Sequence, residues 1–271
     1  MTKPAFEDYL RWAKETINFD IGDDHFSRRY SSNARLIKGE VETSESWSRF
    51  IDASKDISEK YKSDSTFKLF SSEHFLPDLT IKPFHSVVEK TYRINVLDNK
   101  NFPEPPFIKL TSQREWVTED NLYRSINDIV RGRMICRYMD GPEYFCLALN
   151  DVLSKLTVVD HHSMETELGY YSWHFGMRFD REIMKSNGEI RSEAVRIEVQ
   201  ISTQLQEIMN DLTHSFYENK RLGSKADGIW KWRPGEPKFQ GVYFGHTLHM
   251  IEGMLVQLKN QISQKGTDHD K

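Results

Sequence analysis

The chain has 271 residues, with 37 basic and 41 acidic side chains, a net charge of -4 and 12% aromatic content. This length and composition suit a folded protein with a sizeable core, and the charge excludes a global field that gathers nucleic acid or anionic lipid. There is no apolar run of about 18 residues to span a bilayer, so no membrane partner is expected. Residues 1–20 lack the apolar stretch and cleavage site of a signal peptide, and Cys136 and Cys146 form neither a metal-type pair nor a disulfide framework. A reducing, cytoplasmic setting is the expectation.

In chain order, Phe6, Tyr9, Leu10, Ala13 and Ile17 recur at helical spacing and predict an opening amphipathic helix. Residues 22–72 are polar with scattered apolar positions and read as helix with loops. A second helix is predicted over Phe84–Val96, and Pro103, Pro105 and Pro106 then mark a loop. Ile129–Tyr138 reads as a buried strand, followed by a turn at Asp140-Gly141-Pro142 and a helix through Phe145, Leu149, Val152 and Leu153. Leu156–Val159 is predicted as a short strand and His161-His162 as loop. From Tyr171 to Phe179 and from Ala194 to Ile201, apolar and polar residues alternate with period two, as in half-buried strands, and Asn187-Gly188 suits the hairpin turn between them. Helical spacing returns at Leu205, Ile208, Met209, Leu212 and Phe216, then at Leu248, Ile251, Leu255, Leu258 and Ile262. Trp230 and Trp232 read as packing residues. The expected fold class is α+β: a small mixed sheet of nucleotidyltransferase-like type flanked by helices. Its expected parts are a helical N-terminal extension over 1–80, a central domain over 81–221 and a C-terminal helical extension over 222–271 packed on it.

Three groups of polar residues point to chemistry. The polar face of the two alternating strands carries Ser172, His174, Arg178, Arg196, Glu198 and Gln200. A solvated antiparallel sheet also turns a polar face outward, but Glu198 stands mid-strand, where a covered carboxylate needs a partner such as a metal ion. Asp128 precedes Arg131, Arg133 and Arg137 on one strand. Either they form a surface ladder of ion pairs, or the guanidinium forks bind phosphate. Lys82, Ser86, Lys90 and Arg93 lie along one helical face, a basic stripe that alone reads as solvated. The glycine-rich loop of P-loop enzymes, the dinucleotide fingerprint, the zinc-protease helix and the hydrolase elbow are all missing.

Together these segments resemble the synthetase domain of the RelA/SpoT family of alarmone synthetases. The family's basic helix motif matches Lys82, Ser86, Lys90 and Arg93; its D-I-x-G-x-R strand matches Asp128 to Arg133 except for Arg131; its N-G-Y-x-S-x-H loop matches Leu168 to His174 except for Leu168. Its E-x-Q-I-R-T strand matches Glu198 to Thr203 except for Ser202, and its H-x-x-Y matches His214 and Tyr217. The motifs stand in the family's order. Thr80, Arg131, Leu168, Ser202 and Glu218 depart from its pattern, and residues 94–127 form an insertion.

The resemblance implies a Mg²⁺-dependent pyrophosphokinase that moves a pyrophosphoryl group from ATP to the ribose 3'-hydroxyl of GDP or GTP and releases AMP. It implies Asp128 and Glu198 as catalytic metal ligands, with Lys82, Ser86, Lys90, Arg93, Arg131 and Arg133 on ATP. Tyr170, Ser172, His174, Gln200 and His214 would hold the acceptor. Two alternatives stay open: toxin-type pyrophosphorylation of the tRNA 3' end, and a silent nucleotide-binding module. The partners it allows are ATP, the acceptor, a neutralising antitoxin and further copies of the chain.

Overall fold

In the computed structural model of the chain, residues 2–167, 169–221 and 228–269 are described, without the side chains of 213–228 and 264–269. A short helical turn leads into α1 (Tyr9–Ile17), followed by α2 (Asp24–Glu42) and α3 (Glu45–Ser65). Sequence sets their starts. Asp23 caps α2 by accepting the Phe26 amide at 3.1 Å, and Ser44 caps α3 by accepting the Trp47 amide at 3.2 Å. Strand β1 (Thr80–Ile81) precedes α4 (Phe84–Tyr92), which continues as a π-turn from Arg93 to Leu97, so the helical stretch covers the expected Phe84–Val96. The insertion holds a small hairpin, β2 (Phe107–Ile108) with β3 (Gln113–Arg114), and α5 (Leu122–Ser125).

Then come β4 (Val130–Cys136), α6 (Gly141–Leu153), β5 (Val159–Glu165), β6 (Tyr171–Met184) and β7 (Ile190–Thr203). The last helices are α7 (Gln204–Arg221) and α8 (Pro237–His269). The β6–β7 turn closes with the Lys185 amide on the Glu189 carbonyl at 2.8 Å and Gly188 at φ +79°, the left-handed position glycine fills without strain.

The main sheet has the order β1-β4-β7-β6-β5; only β4 and β7 run parallel, so it is mixed and the architecture is α+β. One core cluster runs from Tyr9 in α1 to Ile201 in β7, so the N-terminal helices share the interior of the central region. Tyr30 of α2 donates to the Lys82 carbonyl at 2.6 Å, and Asn33 bonds both backbone groups of Met184. No described helix is long and apolar enough to cross a membrane.

Several expectations need correction. The strand predicted over 156–159 starts at Val159 and continues to Glu165, so His161 and His162 lie in β5 and not in a loop. As an edge strand with mostly exposed side chains, β5 carries little apolar alternation to betray it. Trp230 is buried, but Trp232 is 86% exposed and packs nothing. The apolar stripe predicted for α8 faces outward, with Ile251, Leu255, Leu258 and Ile262 exposed, while Glu252 and Lys259 are buried. The reason is polar. Glu252 accepts from Thr203, and the Lys259 ammonium meets Asp140 and, at 2.6 Å, the Tyr61 hydroxyl.

Candidate active site

Register builds the site. One cross-strand row runs over the whole sheet as Asp160, Gly176, Glu198, Arg131 and Thr80; the next runs His162, His174, Gln200 and Arg133. Because successive strand residues point to opposite faces, residues two apart share this one, while Phe175, Met177, Ile197, Val199 and Ile201 turn into the core. Helix α4 lies over the β4 end of the row, and a cleft of about 560 Å³ opens between them.

Lys82, Ser86, Lys90, Arg93, Asp128, Arg131, Arg133, Tyr170, His174, Glu198 and Gln200 all line this cleft. Ser172 stands just outside, hydrogen-bonded through its Oγ to His174 Nε2 at 3.0 Å. The side chain of His214 lies outside the described residues, as does Leu168. Residues missed by sequence reading also belong here. Asn127 and His162 line the cleft, and Asp160 holds Arg196, a polar-face residue read from the sequence, which reaches Glu198 from the sheet. A polar residue beside Asp128 was the one visible hint.

Asp128 is buried at the entrance to β4. Lys82 Nζ donates to its Oδ2 at 2.9 Å and Lys90 Nζ to its Oδ1 at 2.7 Å. Burial opposes its ionisation, yet the Lys90 and Lys82 charges overcome this and hold it far below the usual carboxylate range. Lys82 is the strained member: burial lowers its pKa more than Asp128 restores it. The backbone fixes it there, since the Lys82 amide bonds the Ile129 carbonyl at 2.8 Å.

Glu198 is 2% exposed and accepts from four donors. His174 Nδ1 and Gln200 Nε2 meet Oε1 at 3.3 and 3.1 Å; Asn127 Nδ2 and Arg196 meet Oε2 at 2.6 and 3.2 Å. Burial raises its pKa, but the His174 contact and the Gln200 amide outweigh this and leave it at about 2. Asn127 joins the two acids, its Oδ1 accepting from Lys90 at 2.5 Å while its amide holds Glu198. Arg133 pairs with Glu207 at 2.8 Å, and Arg93 with Asp98 at 3.5 Å. Arg131 makes no ion pair among the described residues and stands beside Thr80, whose hydroxyl donates to its carbonyl at 3.2 Å.

Two carboxylates facing one cleft form no metal cage. Among the described residues, no group of three or more His, Cys, Asp or Glu side chains could hold an ion alone. Mg²⁺ is commonly held by one or two carboxylates together with substrate phosphates, and this donor set fits that mode.

The five-stranded mixed sheet and its flanking helices share the fold of a solved small alarmone synthetase, the fold that the sequence resemblance implied. Small alarmone synthetase 1 from Bacillus subtilis, bound to its product pppGpp, superposes with a TM-score of 0.51 at 15% identity, covering 89% of this chain and 100% of that one. A GTP pyrophosphokinase family protein from Streptococcus pneumoniae gives 0.49 at 15%, over 89% and 95%. Small alarmone synthetase 2 from Bacillus subtilis gives 0.46 at 15%, over 87% and 97%. No protein-family model and no curated protein sequence matches the chain. Identity this low establishes the fold and leaves the reaction to the site.

Proposed function

We propose that the chain is a pyrophosphokinase that transfers the β,γ-pyrophosphoryl group of ATP to the ribose 3'-hydroxyl of GDP or GTP, releasing AMP. The observation that carries this reading is the convergence of Asp128 and Glu198, far apart in sequence, on one cleft that also holds Lys82, Lys90 and Arg131. The solved structure that shares the fold at a TM-score of 0.51 is described with pppGpp bound.

Asp128 and Glu198 would hold Mg²⁺ together with the donor phosphates; bound there, the ion supplies charge neutralisation of the triphosphate. Lys82 and Lys90 exchange part of their bond to Asp128 for phosphate oxygens, and Arg131 offers its free fork to the same group. The guanidinium at 131 stands directly across from Thr80, where the family pattern has arginine, so the charge is kept at the neighbouring position of the same row. Tyr170 stacks on the acceptor base, and His174 and Gln200, already aligned by Glu198, orient its sugar. A carboxylate held at about 2 is a poor proton acceptor at neutral pH. Glu198 therefore acts as ligand and anchor, and a loose phosphoryl transition state asks for little early deprotonation.

The test is incubation of the protein with ATP labelled on the γ-phosphate, Mg²⁺ and either GDP, GTP or deacylated tRNA. Label in the guanine nucleotide with stoichiometric AMP is the expected result. Label in tRNA alone moves the acceptor to the tRNA 3' end. ATP binding without AMP from any acceptor leaves a silent nucleotide-binding module and ends the reading.

A further inference from the structure

Gly176 sits between Asp160 and Glu198 in the cross-strand row, and its missing side chain is occupied. A Cβ built there falls 2.2 Å from the Cζ, Nε and Nη2 atoms of Arg196. The guanidinium comes from the neighbouring row, where Arg196 pairs with Arg178, and lies back across the sheet over the glycine. From there Nε and Nη2 grip Asp160 at 2.8 and 2.5 Å, and Nη1 reaches Glu198 at 3.2 Å. Arg196 is 8% exposed and lies behind the cleft rather than among its lining residues.

We infer that Arg196, seated in the Gly176 slot and gripped by Asp160, is a positioning residue that fixes the carboxylate of Glu198 in the orientation that receives a nucleotide-borne metal ion. A buried carboxylate with one free rotation needs donors on both oxygens to hold one plane. His174 and Gln200 serve Oε1 from within the cleft; Oε2 accepts from Asn127 at 2.6 Å on the cleft side and from Arg196 at 3.2 Å from behind, so that Arg196 fixes the second oxygen from the sheet. The bidentate grip of Asp160 is what makes the guanidinium a fixed donor, and lysine cannot copy it because one ammonium lacks the planar fork. What Glu198 is held for rests on the pyrophosphokinase reading; the clamp itself does not.

The test uses the full chain with Gly176→Ala, Arg196→Lys, Arg196→Met and the double variant Gly176→Ala/Arg196→Met. Binding of a non-hydrolysable ATP analogue is measured with and without Mg²⁺. Partners that orient a metal ligand typically contribute 10–100-fold, so each variant should lose about tenfold or more of the Mg²⁺-dependent tightening, with metal-free affinity within about twofold of wild type. Gly176→Ala should add nothing to Arg196→Met, because both remove one device. The Arg196 Nε–H, protected by Asp160, should give a slowly exchanging ¹⁵N signal in wild type that disappears in Gly176→Ala. Equal loss of metal-free and metal-dependent binding overturns the inference, as does an additive double variant or a surviving Nε–H signal in Gly176→Ala. Wild-type protein that binds no analogue and releases no AMP overturns the pyrophosphokinase reading alone, and the Nε–H signal then decides the clamp.

Discussion

Asp128 carries one lysine on each oxygen, so its replacement has two separable effects. Asp128→Asn keeps the size and one acceptor oxygen but leaves two ammonium groups without a counter-charge, one of them buried. Removing one partner of a buried pair costs about 3–5 kcal/mol; the retained amide oxygen and the partly exposed Lys90 reduce this to about 2–3 kcal/mol. Urea unfolding should show that loss, and AMP release should fall at least about a hundredfold. A variant as stable and as active as wild type would mean that Asp128 is only a turn residue. Glu198 makes a different prediction, in pH. Its carboxyl lies at about 2 in the folded chain against an ordinary value of 4.5. A depressed folded pKa stabilises the fold above the unfolded value, and that stability disappears as pH falls through the folded one. Between pH 4.5 and pH 2, wild type should therefore lose more urea resistance than Glu198→Gln, which has no proton to take up there. Parallel acid limbs for the two proteins would refute the four-donor account of this carboxylate.

At the scale of elements, α8 is held by charge where its sequence suggested oil. Lys259 is buried against Asp140 at the start of α6 and the Tyr61 hydroxyl of α3, with its ammonium 5.1 Å from the Tyr61 and Tyr138 ring centres. Lys259→Met keeps the stem and removes the charge. Asp140 is about one-third exposed and regains water, so the expected cost is about 1–2 kcal/mol, read as a lower melting temperature. Unchanged melting would show that the apolar stem alone docks the helix. This pin also shows the limit of periodicity. Spacing located α8, but a helical stripe of Ile251, Leu255 and Leu258 does not say which face meets the body, and a single buried lysine decided it. The sheet was more legible. Strands β6 and β7 showed their two faces because one is apolar and the other carries His, Glu and Gln. Strand β5 stayed hidden because its residues are mostly exposed and follow no strict alternation. The Arg196 clamp was hidden for another reason: Gly176 reads as an ordinary strand glycine until the register sets it between Asp160 and Glu198.

Across the whole molecule, the C-terminal helix touches the cleft through the loop that carries Tyr170. Gly169, at φ +78°, and Gly245 of α8 meet backbone to backbone; a Cβ on Gly245 would lie 2.8 Å from the Gly169 carbonyl oxygen. The neighbouring Tyr171 donates to His246 Nδ1 at 2.7 Å and stacks on His249 with ring centres 3.5 Å apart. The same helix thus carries the Lys259 pin and the contact with the loop proposed to hold the acceptor, so α8 braces that side of the cleft. The half proposed to bind the donor rests on α4 and β4, with Tyr30 of α2 behind Lys82, away from this contact. Gly245→Val should therefore split the two substrates. Its branched side chain must push the Gly169 backbone, and displacing a positioning loop by a fraction of an ångström to an ångström costs on the order of ten- to a hundredfold. The KM for GDP or GTP should rise by about tenfold, with the KM for ATP within about twofold, in AMP-release assays that vary one substrate at a time. Equal increases for both substrates would point to general loosening of the fold, and no increase in either would show that α8 leaves the acceptor loop to its own hydrogen bonds.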